Sequence, residues 1–206
     1  MPRAPAQARG RWRVDAILDA AAAIIRESGL EGLTVHGVAR RAGTSIGSMY
    51  HFFPDLDAVI VALVDRHVRG FEPLMSALAE RDPREWSRMS AAATAEAIIA
   101  PFFSYLSRHP DLLPLYASPV SASRFGKRAQ DMKRAGIDLI ERILRARGPA
   151  ASPDVRRARA AVVTGTVEGA VGLLARTKLS HAHVAQELER AVGAYLRAME
   201  HPSHQS

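Results

Sequence analysis

Cysteine is absent from all 206 residues. Its absence excludes a disulfide scaffold, a thiolate nucleophile and a thiolate zinc site. Long apolar runs are missing too: no stretch approaches the roughly 18 residues of a membrane-spanning helix, so no membrane partner is expected. The opening MPRAPAQARGRWR has arginines but no apolar segment after them. No secretory leader is therefore expected, and a cytoplasmic protein is. Sustained period-two alternation is lacking, which argues against strands. None of the eight histidines follows a glutamate by three residues, and His201 and His204 fall in a tail, so no metal is expected. No nucleophile–base–orienter set or cofactor motif occurs; the expectation is a non-enzyme without a cofactor.

What the chain does carry is positive charge, a formal +7 with an isoelectric point near 10.5. The 28 basic residues are almost all arginine, with only three lysines, a bias that a GC-rich coding sequence produces as readily as selection for phosphate contacts. Placement is more informative. Residues 1–53 hold seven arginines against Asp15, Asp19, Glu27 and Glu31, so the N-terminal quarter is the densest basic region. Such a patch suits nucleic acid or another acidic surface.

The periodicity is helical nearly throughout. Val14, Ile17, Leu18, Ala21, Ile24 and Ile25 recur at three- and four-residue spacing, and Gly29 supplies a stop. Thr34 caps a second helix with Val35, Val38, Ala39 and Ala42 inward, and Ser45 caps a third that turns Met49 and Phe53 inward. A long fourth helix starts at Asp55. Further segments are expected near 85–107, 109–117, 121–147, 154–178 and 181–200, giving an all-α chain of about nine helices. Residues 1–9 are expected to be a flexible basic arm and 201–206 a tail.

Helices two and three, joined through Gly43-Thr44, have the layout of a helix-turn-helix. Gly43 permits the positive φ of the turn. Ala39 lets the helices approach, and Ser45, Gly47 and Ser48 make a first turn small and polar enough to reach phosphates or base edges. The same stretch, Gly43-Thr-Ser45-Ile-Gly47, spells the G-x-S-x-G of a hydrolase elbow. That chemistry needs a strand leading into the serine, and the lead-in here is helical.

The run ILDAAAAIIRESGLEGLTVHGVARRAGTSIGSMYHFFPDLDAVIVAL resembles the N-terminal DNA-binding domain of the TetR family of transcriptional regulators. The resemblance rests on Ile17-Leu18-Asp19-Ala20-Ala21, Gly29, Thr34-Val35, Val38-Ala39, Ala42-Gly43, Ser45, Gly47, Tyr50 and Phe53-Pro54. It implies a DNA-binding domain over 10–56, with the motif at about 34–53, and a helical effector-binding and dimerisation domain over 57–200. It implies that Thr34 and Tyr50 bond phosphates, that Thr44, Ser45, Gly47 and Ser48 meet the major groove with His51 beside them, and that His36 is a polar contact. The alternatives are that Thr34 and Ser45 are caps alone and that Tyr50 is a core residue with a wet hydroxyl. Three positions depart from the family's pattern, since Ile46, Phe52 and Leu56 stand where polar or basic residues are common. Arg40, Arg41 and the N-terminal arm could compensate, and Ile46 and Phe52 could touch thymine methyls.

Toward the C-terminus, Trp86, Met89, Phe102, Phe103, Leu106, Tyr116, Phe125 and Met132 could line a pocket for an apolar effector, or simply fill the core. Gly165, Gly169 and Gly172 form a small-residue stripe, followed by Leu188, Val192 and Tyr195. The resemblance implies that the last two helices pair with a second subunit. The expectation is a homodimeric repressor that a small molecule releases from a palindromic double-stranded DNA operator. The alternative is a ligand-independent, DNA-organising dimer.

Overall fold

A computed structural model of the chain describes residues 6–118, 126–148 and 151–200. Among these residues there are ten α-helices, one 3-10 turn and no strand. The chain divides into two compact units, Met1–Val68 with Pro110–Phe125, and Arg69–His109 with Gly126–Ser206.

The first unit contains α1 (Ala6–Ser28), a 3-10 turn (Leu30–Gly32), α2 (Val35–Arg41), α3 (Ile46–Phe52), the start of α4 (Leu56–Glu80) and α7 (Leu112–Ala117). Its core joins Ile17, Leu18, Ala21 and Ile25 of α1 to Val38, Ala39, Met49, Phe53, Val59, Leu63 and Leu115. Burying each large aliphatic side chain contributes about 1.5–3 kcal/mol, enough to hold helices as short as α2 and α3 that would be marginal alone. Gly29, at φ 68°, ends α1. The Asp55 carboxylate starts α4 by accepting the Ala58 N–H at 2.7 Å. The segment expected to be an arm is partly helical, because α1 begins at Ala6. Alanine, glutamine and arginine there all favour the helix.

The second unit contains the rest of α4, α5 (Pro83–Arg88), α6 (Ala91–Arg108), α8 (Gly126–Arg147), α9 (Pro153–Leu174) and α10 (His181–Glu200). The stretch 85–107, expected as one helix, is two. Met89 is extended, and the Ser90 hydroxyl accepts the Ala93 N–H at 3.1 Å to start α6 afresh. Helices α6 and α10 meet at Gly193, where an added Cβ would lie 3.4 Å from Ala92 Cα. Arg157 bonds Asp138 and Glu141 at 2.7 and 3.1 Å, and Lys133 bonds Glu168 at 2.8 Å, fastening α8 to α9. Arg147, in the last turn of α8, closes the break between α5 and α6: it donates to the Trp86 and Met89 carbonyls at 3.1 and 2.7 Å and pairs with Glu200.

Candidate functional site

Local chemistry builds the α2–α3 motif. Thr34 is extended, and its Oγ1 accepts the Gly37 N–H at 3.0 Å. Ser45 does the same for α3, accepting the Ser48 N–H at 3.1 Å. Between them Gly43 sits at φ 62°, and the Thr44 N–H reaches back to the Ala39 carbonyl at 3.0 Å. The turn is closed by its own backbone, and both hydroxyls are committed as caps through one lone pair while remaining at the surface. Capping and a DNA contact are therefore compatible roles for Thr34 and Ser45.

An open cleft of about 620 Å³ brings together Thr34, His36, Arg40, Thr44, Ser45 and Ile46. Ser48 lies on a neighbouring cleft of about 300 Å³, with Thr44 and Ser45 on the wall between the two. Gly47 and His51 are exposed outside both linings, and the His51 ring meets Phe52 edge-on at 5.0 Å. Tyr50 is 51% exposed, so it is a surface residue and not part of the core.

Two side chains have partners that the sequence did not anticipate. Arg41 is clamped by Glu27 of α1 through two bonds of 2.6 Å. That hydrogen bonding holds Glu27 below the usual carboxylate range and raises Arg41 in turn. Its charge fastens α2 to α1. Phe52 is partly buried against the core, with Cε1 close to Gly10 of α1, whereas Ile46 stays at the surface. Missed from sequence were Trp12 and Arg13, which line the smaller cleft. The available signal was a tryptophan between two arginines, off the apolar face of α1.

Among the residues expected to line an effector pocket, Trp86, Phe103 and Leu106 are buried, while Met89 and Phe102 are half-buried. Phe102 stacks on Phe71 at 4.9 Å, Phe71 meets Tyr105 at 4.3 Å, and Phe103 lies 6.1 Å from Phe102. Trp86 instead carries the Arg81 guanidinium 4.8 Å above its ring. Met132 is exposed, Tyr116 is exposed on the first unit, and Phe125 lies outside the described residues.

Of the interface candidates, Leu188 and Val192 are buried within the single chain, on the helix that meets α6, and Tyr195 is half-buried. Leu188 and Val192 therefore offer no surface to a second subunit, whereas Tyr195 stays partly exposed. Gly172 is buried, but a Cβ on Gly165 or Gly169 would meet nothing within 4 Å. Beside these glycines α9 exposes Val155, Val162 and Leu173. Steps of seven and four residues along 155, 162, 169 and 173 place them on one helical face.

Two family models match the chain. Residues 17–63 match the model described as bacterial regulatory proteins of the tetR family. Residues 90–196, more than half of the chain, match the tetracyclin repressor-like C-terminal domain. No curated protein matches. Among solved structures, a TetR-like transcriptional regulator from Rhodococcus sp. RHA1 is 16% identical with a TM-score of 0.64, over 95% of this chain and 99% of its own. The transcriptional regulator FadR from Bacillus subtilis, solved with stearoyl-CoA, is 18% identical with a TM-score of 0.63, over 87% and 97%. SmeT, solved with triclosan, is 21% identical with a TM-score of 0.58, over 89% and 90%. At these identities the solved structures speak for the fold. The two domain matches go further: with a capped helix-turn-helix at its N-terminus and the family's second domain over most of the remainder, the chain belongs to the TetR family of DNA-binding transcriptional regulators.

Proposed function

We propose that this regulator is a homodimeric repressor that leaves a palindromic operator when a small, largely apolar ligand binds. The observation that carries the DNA half is the capped α2–α3 motif, which gathers Thr34, His36, Arg40, Thr44, Ser45, Ser48, Tyr50 and His51 at or near the surface. In this reading residues 10–56 bind DNA, 57–200 sense and dimerise, and the protein works in the cytoplasm without catalysis. Each subunit puts α3 into one major groove, so the half-sites lie about one helical turn apart, roughly 34–36 Å. The α9 face that exposes Val155, Val162, Gly169 and Leu173 supports pairing of two copies, because large apolar side chains left exposed along one helical face are a feature of interfaces.

The ligand half is supported by the aromatic cluster of Phe71, Phe102, Phe103 and Tyr105, and by relatives solved with stearoyl-CoA and triclosan. A ligand shifts the DNA-bound state only through different affinity for two conformers. One observation favours the second reading, a ligand-independent DNA-organising dimer: the Phe71 ring is already packed directly against Phe102 and Tyr105, at 4.9 and 4.3 Å. Footprinting the DNA flanking the gene, with and without stearoyl-CoA or triclosan, tests both. The expected result is a pair of protected half-sites lost on adding one of these probes. Protection that persists with both probes favours the organising dimer, and no protection at low salt overturns the DNA-binding reading.

A further inference from the structure

Trp12 is 69% exposed on α1, although burying an indole is among the larger gains a fold can make. It lies with Arg13 on one wall of the 300 Å³ cleft whose other wall is Gly43, Thr44, Ser45 and Ser48 of the α2–α3 turn. No carboxylate lines this cleft. The charges around it are also sorted. Arg41 is tied to Glu27 and Arg66 to Asp19, at 2.6 Å each, on other parts of the first unit. Arg11 and Arg13, both exposed, have no acidic partner among the described residues.

We propose that this cleft seats the sugar–phosphate backbone of duplex DNA, with Trp12 as a contact residue. The proposal rests on the DNA-binding reading above and extends it from the helix-turn-helix to the neighbouring face of α1. Bases in a duplex are stacked inside, so the indole has the deoxyribose edge to lie against, while its Nε1–H donates to a phosphate oxygen. Arg13 neutralises the phosphate, and the Thr44 and Ser48 hydroxyls are within the same cleft for further bonds. Such a seat carries no sequence information; it sets the angle at which α3 meets the groove.

The chain holds two tryptophans, and the other, Trp86, is 3% exposed, so collisional quenching of emission reports on Trp12 in the unmodified protein. Acrylamide quenching is measured on the full chain alone, with a duplex from upstream of its own gene, and with a random duplex of equal length at low salt. Gel shifts run alongside with Trp12→Ala, Trp12→Phe and Arg13→Gln. The expected result is strong protection of the exposed tryptophan by both duplexes. Trp12→Ala weakens both by about tenfold, Trp12→Phe weakens them less, and Arg13→Gln lowers the salt slope by about one. Unaltered quenching on a duplex that shifts in the gel, with full affinity in Trp12→Ala, overturns the seat. Protection that rises with protein concentration without DNA also overturns it, in favour of a contact between copies. Binding to neither duplex overturns the DNA-binding reading and the seat together.

Discussion

His67 of α4 and Asp111, at the start of α7, meet as a buried pair, with Nε2 and Oδ2 2.9 Å apart and both residues at most 3% exposed. Burial opposes ionisation of Asp111, but the hydrogen bond and charge of His67, its own backbone and the charge of Arg66 outweigh that, so its pKa is lowered. A depressed carboxylate contributes stability above its unfolded pKa and loses it as pH falls through the folded value. Asp111→Ala is expected to cost about 3 kcal/mol at neutral pH, the scale for breaking a buried pair. Urea unfolding should show the gap to wild type narrowing below about pH 4; a gap independent of pH would count against the pair.

Arg147 closes the break between α5 and α6 by donating to the Trp86 and Met89 carbonyls and to Thr94 Oγ1. Its side chain is only 8% exposed. Arg147→Met keeps the apolar stem and strands these acceptors, so a loss of about 3 kcal/mol is expected from groups left unbonded. Thermal unfolding followed through Trp86 emission measures it.

Capping and phosphate contact can be separated at Thr34. Aspartate caps as well as threonine but repels phosphate, while alanine removes the cap at about 1 kcal/mol. Thr34→Asp is therefore expected to melt like wild type and bind duplex at least tenfold more weakly, since it places like charge at a phosphate contact. Equal affinity in gel shifts at matched salt would leave Thr34 as a cap only. Tyr50→Ala, at a half-exposed position, is expected to weaken binding with helicity intact.

Val162 is 52% exposed on the open face of α9. Val162→Arg is expected to convert a dimer to monomer without unfolding, because a desolvated unpaired charge in an interface is strongly unfavourable. Light scattering after gel filtration reads the mass. A dimer that survives the substitution places the interface elsewhere.

Much of the N-terminal site was legible because its geometry is decided within three or four residues. Thr34 with Gly37, Ser45 with Ser48 and the positive φ of Gly43 are local choices, and their residue types announce them. The break at Met89-Ser90 was not seen, because Ala91 continues the helical spacing and only the serine's hydrogen bond marks the new start. Trp12 was passed over among the arginines at the start of α1; an indole off the apolar face of its helix was the clue.

Local spacing, caps and turn residues were enough to make this an all-helical chain with a helix-turn-helix near its N-terminus, and the resemblance to a known family supplied the regulator. Which charges remain available was decided only in three dimensions. Arg41 is spent on Glu27, fourteen residues away in sequence, and Arg147 on Trp86, sixty-one away. The direction of each apolar stripe was decided there too: Leu188 and Val192 turn inward while Gly165 and Gly169 face open space. Periodicity shows that a helix has a face; only the neighbours it folds against determine whether that face is covered.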